Sequence, residues 1–277
     1  MKIIDGKTLA QNLRKKIANE VKQYSRPPGL AVILVGDDEA SQLYVRNKTR
    51  ACVEVGFYSD QIHKSSNITE EELLSEVNRL NENQNIDGIL VQLPLPSHID
   101  SNKIIEAIIP EKDVDGFSSE NVGKLSQNKS FISPCTQKGV MKMLDSIKCD
   151  LRGKDCVIIG ASNIVGRPMA MELLNAGATV QVCHKGTKDI TQKTKSADVI
   201  IAAAGVANLV KSDWIKEGVI LIDVGINRQA DGSMTGDVDF EDVKGIASAI
   251  TPVPGGVGPM TIAVLLENTL IAYEAKL

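Results

Sequence analysis

Aromatic residues are scarce in this chain, at 3% of 277 residues with a single Trp, which argues against a stacking surface for single-stranded nucleic acid. Histidine is scarcer still. His63, His98 and His184 lie scattered, so the sequence suggests neither a metal centre nor a Ser/His/Asp triad. Cys52, Cys135, Cys149, Cys156 and Cys183 are odd in number and contain no C-x-x-C pair. A reduced, cytoplasmic protein without disulfides or bound zinc is therefore expected. No signal-peptide core follows Met1, and no apolar run approaches a membrane span. A net charge of −4 gives no electrostatic reason to bind nucleic acid or an anionic membrane. What remains is 43% hydrophobic and long enough for two domains.

Asp5 is placed to cap a helix in which Leu9, Leu13, Ile17 and Val21 recur every four residues. Pro27, Pro28 and Gly29 stop it. LAVILV at 30–35 then reads as a strand covered on both faces. On the helix expected after it, Ser41, Tyr44 and Lys48 are spaced i, i+3 and i+7 along one face. Two readings of Lys48 stand: a solvated cation beside Arg46 and Arg50, or a desolvated amine that exchanges protons near neutral pH. Thr69 and Glu72 form a T-x-x-E capping box. DGILVQLPLP at 87–96 is strand-like, with Gln92 interrupting its end as either a satisfied core amide or a site residue. Asp113 and Asp115 fall in a loop ending at Gly116, and the polar stretch 118–133 reads as an interdomain linker.

In the second half, Thr136 is expected to cap a helix leading to CVIIGASNIVGRP at 156–168, a strand turning directly into a helix. Such a junction directs unpaired N–H groups and the positive end of the helix dipole at a phosphate. Gly160 suits a positive-φ turn, and Gly166 suits close helix–strand approach. After the next strand, TVQVCH at 179–184, an NAD-preferring site carries an acid for the ribose hydroxyls. Here His184 and Lys185 stand instead, a substitution that favours a 2′-phosphate unless Lys185 merely faces solvent. Two further apolar strands end in glycine, at 197–205 and 219–227. TPVPGGVGPMT at 251–261 fixes a rigid loop, with Thr261 expected to cap the closing helix.

Taken together, YVRNK at 44–48, DGILVQLPLP, KDVDG at 112–116, PCTQKG, GASNIVGRP, DVGIN at 223–227 and TPVPGGVGPMT resemble the bifunctional methylenetetrahydrofolate dehydrogenase/methenyltetrahydrofolate cyclohydrolase (FolD) family over essentially the full length. The resemblance implies an α/β fold of two domains with a cleft between them. One is a catalytic, folate-binding domain at 1–117 on which the closing helix 261–277 packs. The other is a Rossmann-like, doubly wound parallel sheet at 118–260. It implies oxidation of 5,10-methylenetetrahydrofolate by NADP (NAD is the less favoured cofactor), hydrolysis to 10-formyltetrahydrofolate, no metal, and a homodimer.

By the same resemblance Lys48 is the catalytic lysine, Tyr44 stacks on folate, Gln92 tunes the lysine and Asp115 holds the pterin. Ser41, Pro254, Gly255 and Gly258 are implied on the folate side. Gly160, Ala161, Ser162, Ile164, Val165, Gly166, His184, Lys185 and Ile226 are implied on the cofactor side. Two departures stand out. Ala161 replaces the arginine of a frequent G-R-S, leaving Lys185 to supply the charge, and Gln137 replaces the usual proline after Thr136, a change expected to loosen that turn without touching the chemistry. A different nicotinamide-dependent dehydrogenase would fit the second half but leave Tyr44, Lys48 and Gln92 unexplained. A non-catalytic folate or nucleotide binder is the other alternative.

Overall fold

The computed structural model describes all 277 residues. They form two compact units: a first of Gln11–Cys135 with Ile262–Leu277, and a second of Met1–Ala10 with Thr136–Thr261. The chain opens with strand β1 (Lys2–Ile3) and helix α1 (Gly6–Val21). Asp5 starts that helix by accepting from the Thr8 backbone N–H at 3.0 Å.

In the first unit, β2 (Gly29–Val35) is buried at every residue, as its unbroken apolar run requires. It is followed by α2 (Glu39–Val55), β3 (Tyr58–Lys64), α3 (Glu70–Glu82), β4 (Gly88–Val91) and α4 (Ser101–Ala107). The three strands are parallel in the order β3-β2-β4, so the chain builds outward from β2 on one side and then returns to its other side. Ile33, Leu73, Val77, Leu80, Ile89 and Ile104 form the core beneath α3 and α4. The Thr69–Glu72 capping box opens α3 with both reciprocal bonds made. The stretch expected to be a linker instead contains α5 (Ser119–Ser126). One of its polar residues turns inward. Asn121 is buried and donates to Asp113 at 2.9 Å and to the Pro110 carbonyl at 3.0 Å.

The remaining elements are α6 (Cys135–Ser146), β5 (Asp155–Ile159), α7 (Gly166–Asn175), β6 (Thr179–Cys183), α8 (Ile190–Ser196), β7 (Val199–Ala202) and β8 (Ile220–Asp223). A short antiparallel pair β9 (Asn227–Arg228) and β10 (Met234–Thr235), then α9 (Phe240–Val243), β11 (Ala249–Ile250) and α10 (Val257–Glu274) complete the chain. The second unit's sheet has six parallel strands in the order β1-β11-β8-β7-β5-β6. Here too the chain goes from β5 to a neighbour on one side and comes back to β7 on the other, which makes the carboxyl ends of β5 and β7 a switch point.

Two expected caps are displaced. Because α6 begins at Cys135, Thr136 lies inside its first turn, with its hydroxyl 3.1 Å from that of Thr261. Because α10 begins at Val257, Thr261 lies in its second turn and donates back to the Val257 carbonyl at 3.2 Å.

A buried ion cluster ties the tail of α10 into the first unit. The Asp87 side chain is fully buried and takes a bidentate bond from Arg26 at 2.7 and 2.9 Å, one from Lys276 at 3.0 Å and one from the Gly29 N–H at 2.8 Å. Arg26 also lies 4.6 Å over the ring of Tyr273. Burial alone pushes the Asp87 carboxyl up, but Arg26, the Gly29 N–H and Lys276 together outweigh it and hold it below the usual carboxylate value. Its contribution to stability is therefore complete above the ordinary carboxyl pKa and lost as pH falls through the depressed one. Asp87→Ala, which strands two cations that keep partial solvent access, should cost about 2–4 kcal/mol in urea unfolding at pH 7. An unchanged unfolding midpoint would show that the cluster anchors nothing.

Candidate active site

The helix after the central strand of the first unit carries Lys48, and the end of β4 carries Gln92. Asp38 starts α2 by accepting from the Ser41 N–H at 2.8 Å, and the i, i+4 spacing within that helix puts Tyr44 and Lys48 on one face. Lys48 Nζ donates to Gln92 Oε1 at 2.9 Å. The Gln92 amide is itself fixed, because its Nε2 donates to the Leu93 carbonyl at 2.7 Å and its backbone N–H to the Ile33 carbonyl at 2.8 Å. Gln92 is thus a satisfied amide whose oxygen is committed to Lys48. Burial pushes the Lys48 ammonium below the ordinary lysine value, against the opposing pull of Asp115, Cys135 and Cys52. Asp115 moves the other way: burial raises its carboxyl, Lys48 opposes, and the charge of Asp113 adds to the rise. Burial thus biases the amine toward neutrality and the carboxyl toward protonation, while the charge of each opposes the shift of the other.

The KDVDG loop divides its charges by task. Lys112 donates to the carbonyls of Leu80, Asn81 and Asn83 at 2.9, 2.6 and 2.9 Å, closing the carboxyl end of α3. Asp113 accepts from the N–H groups of Gly116 and Ser118 at 3.0 and 2.8 Å. Asp115 faces Lys48 and takes a side-chain hydrogen bond from Cys135. Tyr44 is half-buried one turn before Lys48, and burial raises its phenol pKa. Ser41 is buried. Two residues without a role in the sequence reading, Cys52 and Cys135, line the lysine. The Cys52 thiol is pushed up to about 12 by burial, and Cys135 donates to the Val114 carbonyl at 3.2 Å. Cys52 follows Lys48 by one turn of α2, a relation its i, i+4 spacing carries, whereas Cys135 is brought to the lysine only by the fold.

The second unit offers a different kind of site. Gly160 ends β5 with φ +126°, and a Cβ there would overlap the Ala203 carbonyl. A Cβ at Gly166 would overlap the Gly160 carbonyl, so strand end and helix start are in direct backbone contact. Between them Ser162 folds the loop, its Oγ accepting from the Val165 N–H at 3.1 Å and its carbonyl from the Arg167 N–H at 3.0 Å. Helix α7 has no side-chain cap, and with the Arg167 N–H spent on Ser162 it is the Gly166 N–H that is left for an anion. Arg167, absent from the sequence reading, donates to the Ala161 carbonyl at 3.3 Å and stands exposed beside the loop. Ile164 and Ile226 are exposed apolar side chains. His184 and Lys185 are exposed in the turn after β6, closed by a bond from the His184 N–H to Thr187 at 2.9 Å. Pro254 is exposed, Gly255 has φ +107° and accepts from the Lys7 N–H at 2.9 Å, and Gly258 lies in the first turn of α10.

Two buried carboxylates shape the loops after β7 and β8. Asp237 accepts from the successive N–H groups of Ala204, Gly205 and Val206 at 2.6, 2.9 and 3.0 Å, and from Asn227 at 2.9 Å. Asp223 accepts from Gly225, Asp237 and Val238 N–H groups at 3.0, 2.9 and 2.9 Å. No three His, Cys, Asp or Glu side chains are grouped to hold a metal ion, and no helix is long and apolar enough to cross a membrane.

Residues 4–115 match the catalytic domain of tetrahydrofolate dehydrogenase/cyclohydrolase, and residues 134–277 match its NAD(P)-binding domain. The bifunctional protein FolD of Ruthia magnifica is 63% identical over all of both chains. Among solved structures, the bifunctional enzyme FolD of Campylobacter jejuni is 55% identical with a TM-score of 0.98, each chain covered completely. The Trypanosoma brucei enzyme, solved with NADP and an inhibitor, is 39% identical with a TM-score of 0.94, covering 99% of this chain and 97% of that one.

The carboxylate pair has a signature in solution. Burial pushes Asp223 up to about 6, its backbone donors oppose the rise and the charge of Asp237 adds to it. Its contribution to stability is full below the ordinary carboxyl pKa and declines as pH rises through about 6. Between pH 4 and 6.5 the parent should lose about 2–3 kcal/mol relative to Asp223→Asn, read as the difference between their denaturant-unfolding profiles. Parallel profiles would place the titration of Asp223 elsewhere.

Proposed function

The chain belongs to the tetrahydrofolate dehydrogenase/cyclohydrolase family, and from that premise we propose that it oxidises 5,10-methylenetetrahydrofolate with NADP⁺ and hydrolyses the methenyl product to 10-formyltetrahydrofolate. The observation that carries the reading is the desolvated Lys48 amine held on Gln92 at 2.9 Å. A protein that only bound folate would have no use for a lysine whose charged form is disfavoured by burial.

NADP⁺, when bound, accepts the hydride that leaves the methylene carbon. The second unit fits such a group: the glycine contact between β5 and α7 is a backbone cradle that any Cβ would fill, and the uncapped start of α7 suits a phosphate. Gly160, Ala161, Ser162, Ile164, Val165 and Gly166 are assigned to it, with Ile226 on the nicotinamide side. His184 and Lys185 occupy the place where an acid would favour NAD, and Lys185 supplies a cation for the 2′-phosphate.

Hydride loss leaves an amidinium cation, which is already the electrophile for water. Neutral Lys48 takes one proton from the attacking water as the C–O bond forms. That proton returns to N5 as the carbon–N5 bond breaks, while the hydroxyl proton passes to solvent as the formyl C=O forms. Gln92 keeps the amine pointed at the reacting carbon. Asp115 accepts from the pterin and modulates the lysine, and Tyr44 stacks on the ring. Ser41, Pro254, Gly255 and Gly258 are assigned to folate contact. The reduced thiols suit the cytoplasm, and the open edge of β6 with exposed Val182 and nearby Leu174 suits pairing into a homodimer.

Lys48→Met should reduce hydrolysis of supplied methenyltetrahydrofolate by roughly 10²–10⁴-fold, followed by substrate absorbance, with NADP affinity held within about twofold. Retained hydrolysis would remove Lys48 from the reaction. Lys185→Glu should weaken NADP roughly tenfold more than NAD in parallel titrations, as loss of one close charge contact predicts. Equal weakening would show that Lys185 does not read the phosphate.

A further inference from the structure

Gln137, at a position expected to affect only a local turn, is completely buried. Its Nε2 donates to two successive carbonyls, Ile164 at 2.9 Å and Val165 at 3.0 Å. Both belong to the loop between Gly160 and α7. Its Oε1 is buried with no hydrogen-bond partner, a cost ordinarily avoided. The amide orientation follows from the two carbonyls, since the reverse flip would set oxygen against oxygen. A side chain that leaves its acceptor unpaired so that its donors can reach a loop is a positioning element.

The geometry of the peptide gives the consequence. In a planar trans peptide the C=O and N–H point in opposite directions. With the Val165 carbonyl drawn inward to Gln137 and to the Met169 N–H at 3.0 Å, the Gly166 N–H is turned outward, away from the body of the helix. The Val165 N–H is held by Ser162. Since α7 lacks a side-chain cap, Gln137 and Ser162 together do the orienting that a cap residue does elsewhere, and they leave the first helical N–H unspent. We infer that Gln137 is a positioning residue for dinucleotide binding, clamping the 164–165 peptides so that the amino end of α7 presents the Gly166 N–H to the cofactor phosphates. The inference rests on the proposed NADP-dependent activity and assigns this chain a polar clamp where neither composition nor motif spacing indicates one.

The test uses the full-length protein and two variants. Gln137→Met keeps the side-chain volume and removes both donors. Gln137→Pro removes them at a first-turn position that tolerates proline. In each, the Kd for NADP and its KM in the dehydrogenase assay should rise about tenfold, as expected for two lost hydrogen bonds. Hydrolysis of supplied methenyltetrahydrofolate, which needs no dinucleotide, serves as the internal reference and should stay within twofold. An NADP Kd within twofold of the parent in the folded Met variant would overturn the clamp. So would an equal fall in both activities, which marks general destabilisation. A parent protein that fails to bind NADP at all would instead overturn the proposed activity, and the two failures are distinguished by the parent titration alone.

Discussion

Parallel strands must be re-entered from the same end, and a chain that builds first on one side of its starting strand and then on the other leaves the carboxyl ends there without a covering connection. Both sheets of this protein are built under that constraint. In the first unit the reversal falls between β2 and β4, whose ends carry Gly36 and Gln92; in the second it falls between β5 and β7, whose ends carry Gly160 and Ala203. The candidate site residues of each unit gather at these ends because only there does the sheet leave room for a ligand. A depression of about 500 Å³ bordered by Lys148, Arg152, Lys154 and Ile220 lies at the opposite ends of β5 and β8, where the topology assigns no such role.

Openings of this kind need irregular backbone, and irregular backbone needs its N–H groups satisfied. The protein meets that need with buried side chains rather than longer strands. Asp113 holds the loop that bears Asp115, Asp237 and Asp223 hold the loops after β7 and β8, and Gln137 holds the loop before α7. Steric fit reinforces the electrostatics: a Cβ on Gly225 would collide with the Asp237 carboxylate, and one on Gly236 with that of Asp223. These glycines and aspartates interlock, so neither type of residue changes alone without cost.

Which parts were legible in the sequence follows from the range of the interactions. The buried run of β2, the Asp5 cap and the Thr69–Glu72 box are local, and each reads directly from spacing. Gln92 could be flagged because an amide ending an apolar strand is unusual, and its pairing with Lys48, 44 residues away, came from the family resemblance rather than from any local pattern. Lys48 as a catalytic group came from family motifs, since spacing alone left it among surface cations. The polar stretch 118–133 looked like a linker because its hydrogen bonds run to Asp113 and Pro110, outside any local window. Thr136 and Thr261 looked like caps, but their helices start earlier. Gln137 looked inconsequential because its acceptors lie 27 and 28 residues downstream.

The electrostatics of the lysine pocket also fit the charge of the proposed intermediate. A methenyl group is cationic, and a full ammonium beside it would repel both the cation and the developing positive charge on attacking water. Lys48 and Asp115 feel each other's charge, and burial moves the two pKa values toward one another. An ammonium with a carboxylate and an amine with a carboxylic acid alike carry no net charge. A proton moved from one to the other leaves the net charge of the pocket unchanged. A lone buried lysine would lack that property, since each protonation would add a full charge to a poorly solvated pocket. Proton transfer in a desolvated site next to a cation thus favours a coupled pair over a single base, and Gln92, neutral in every state, can orient the amine without disturbing the balance.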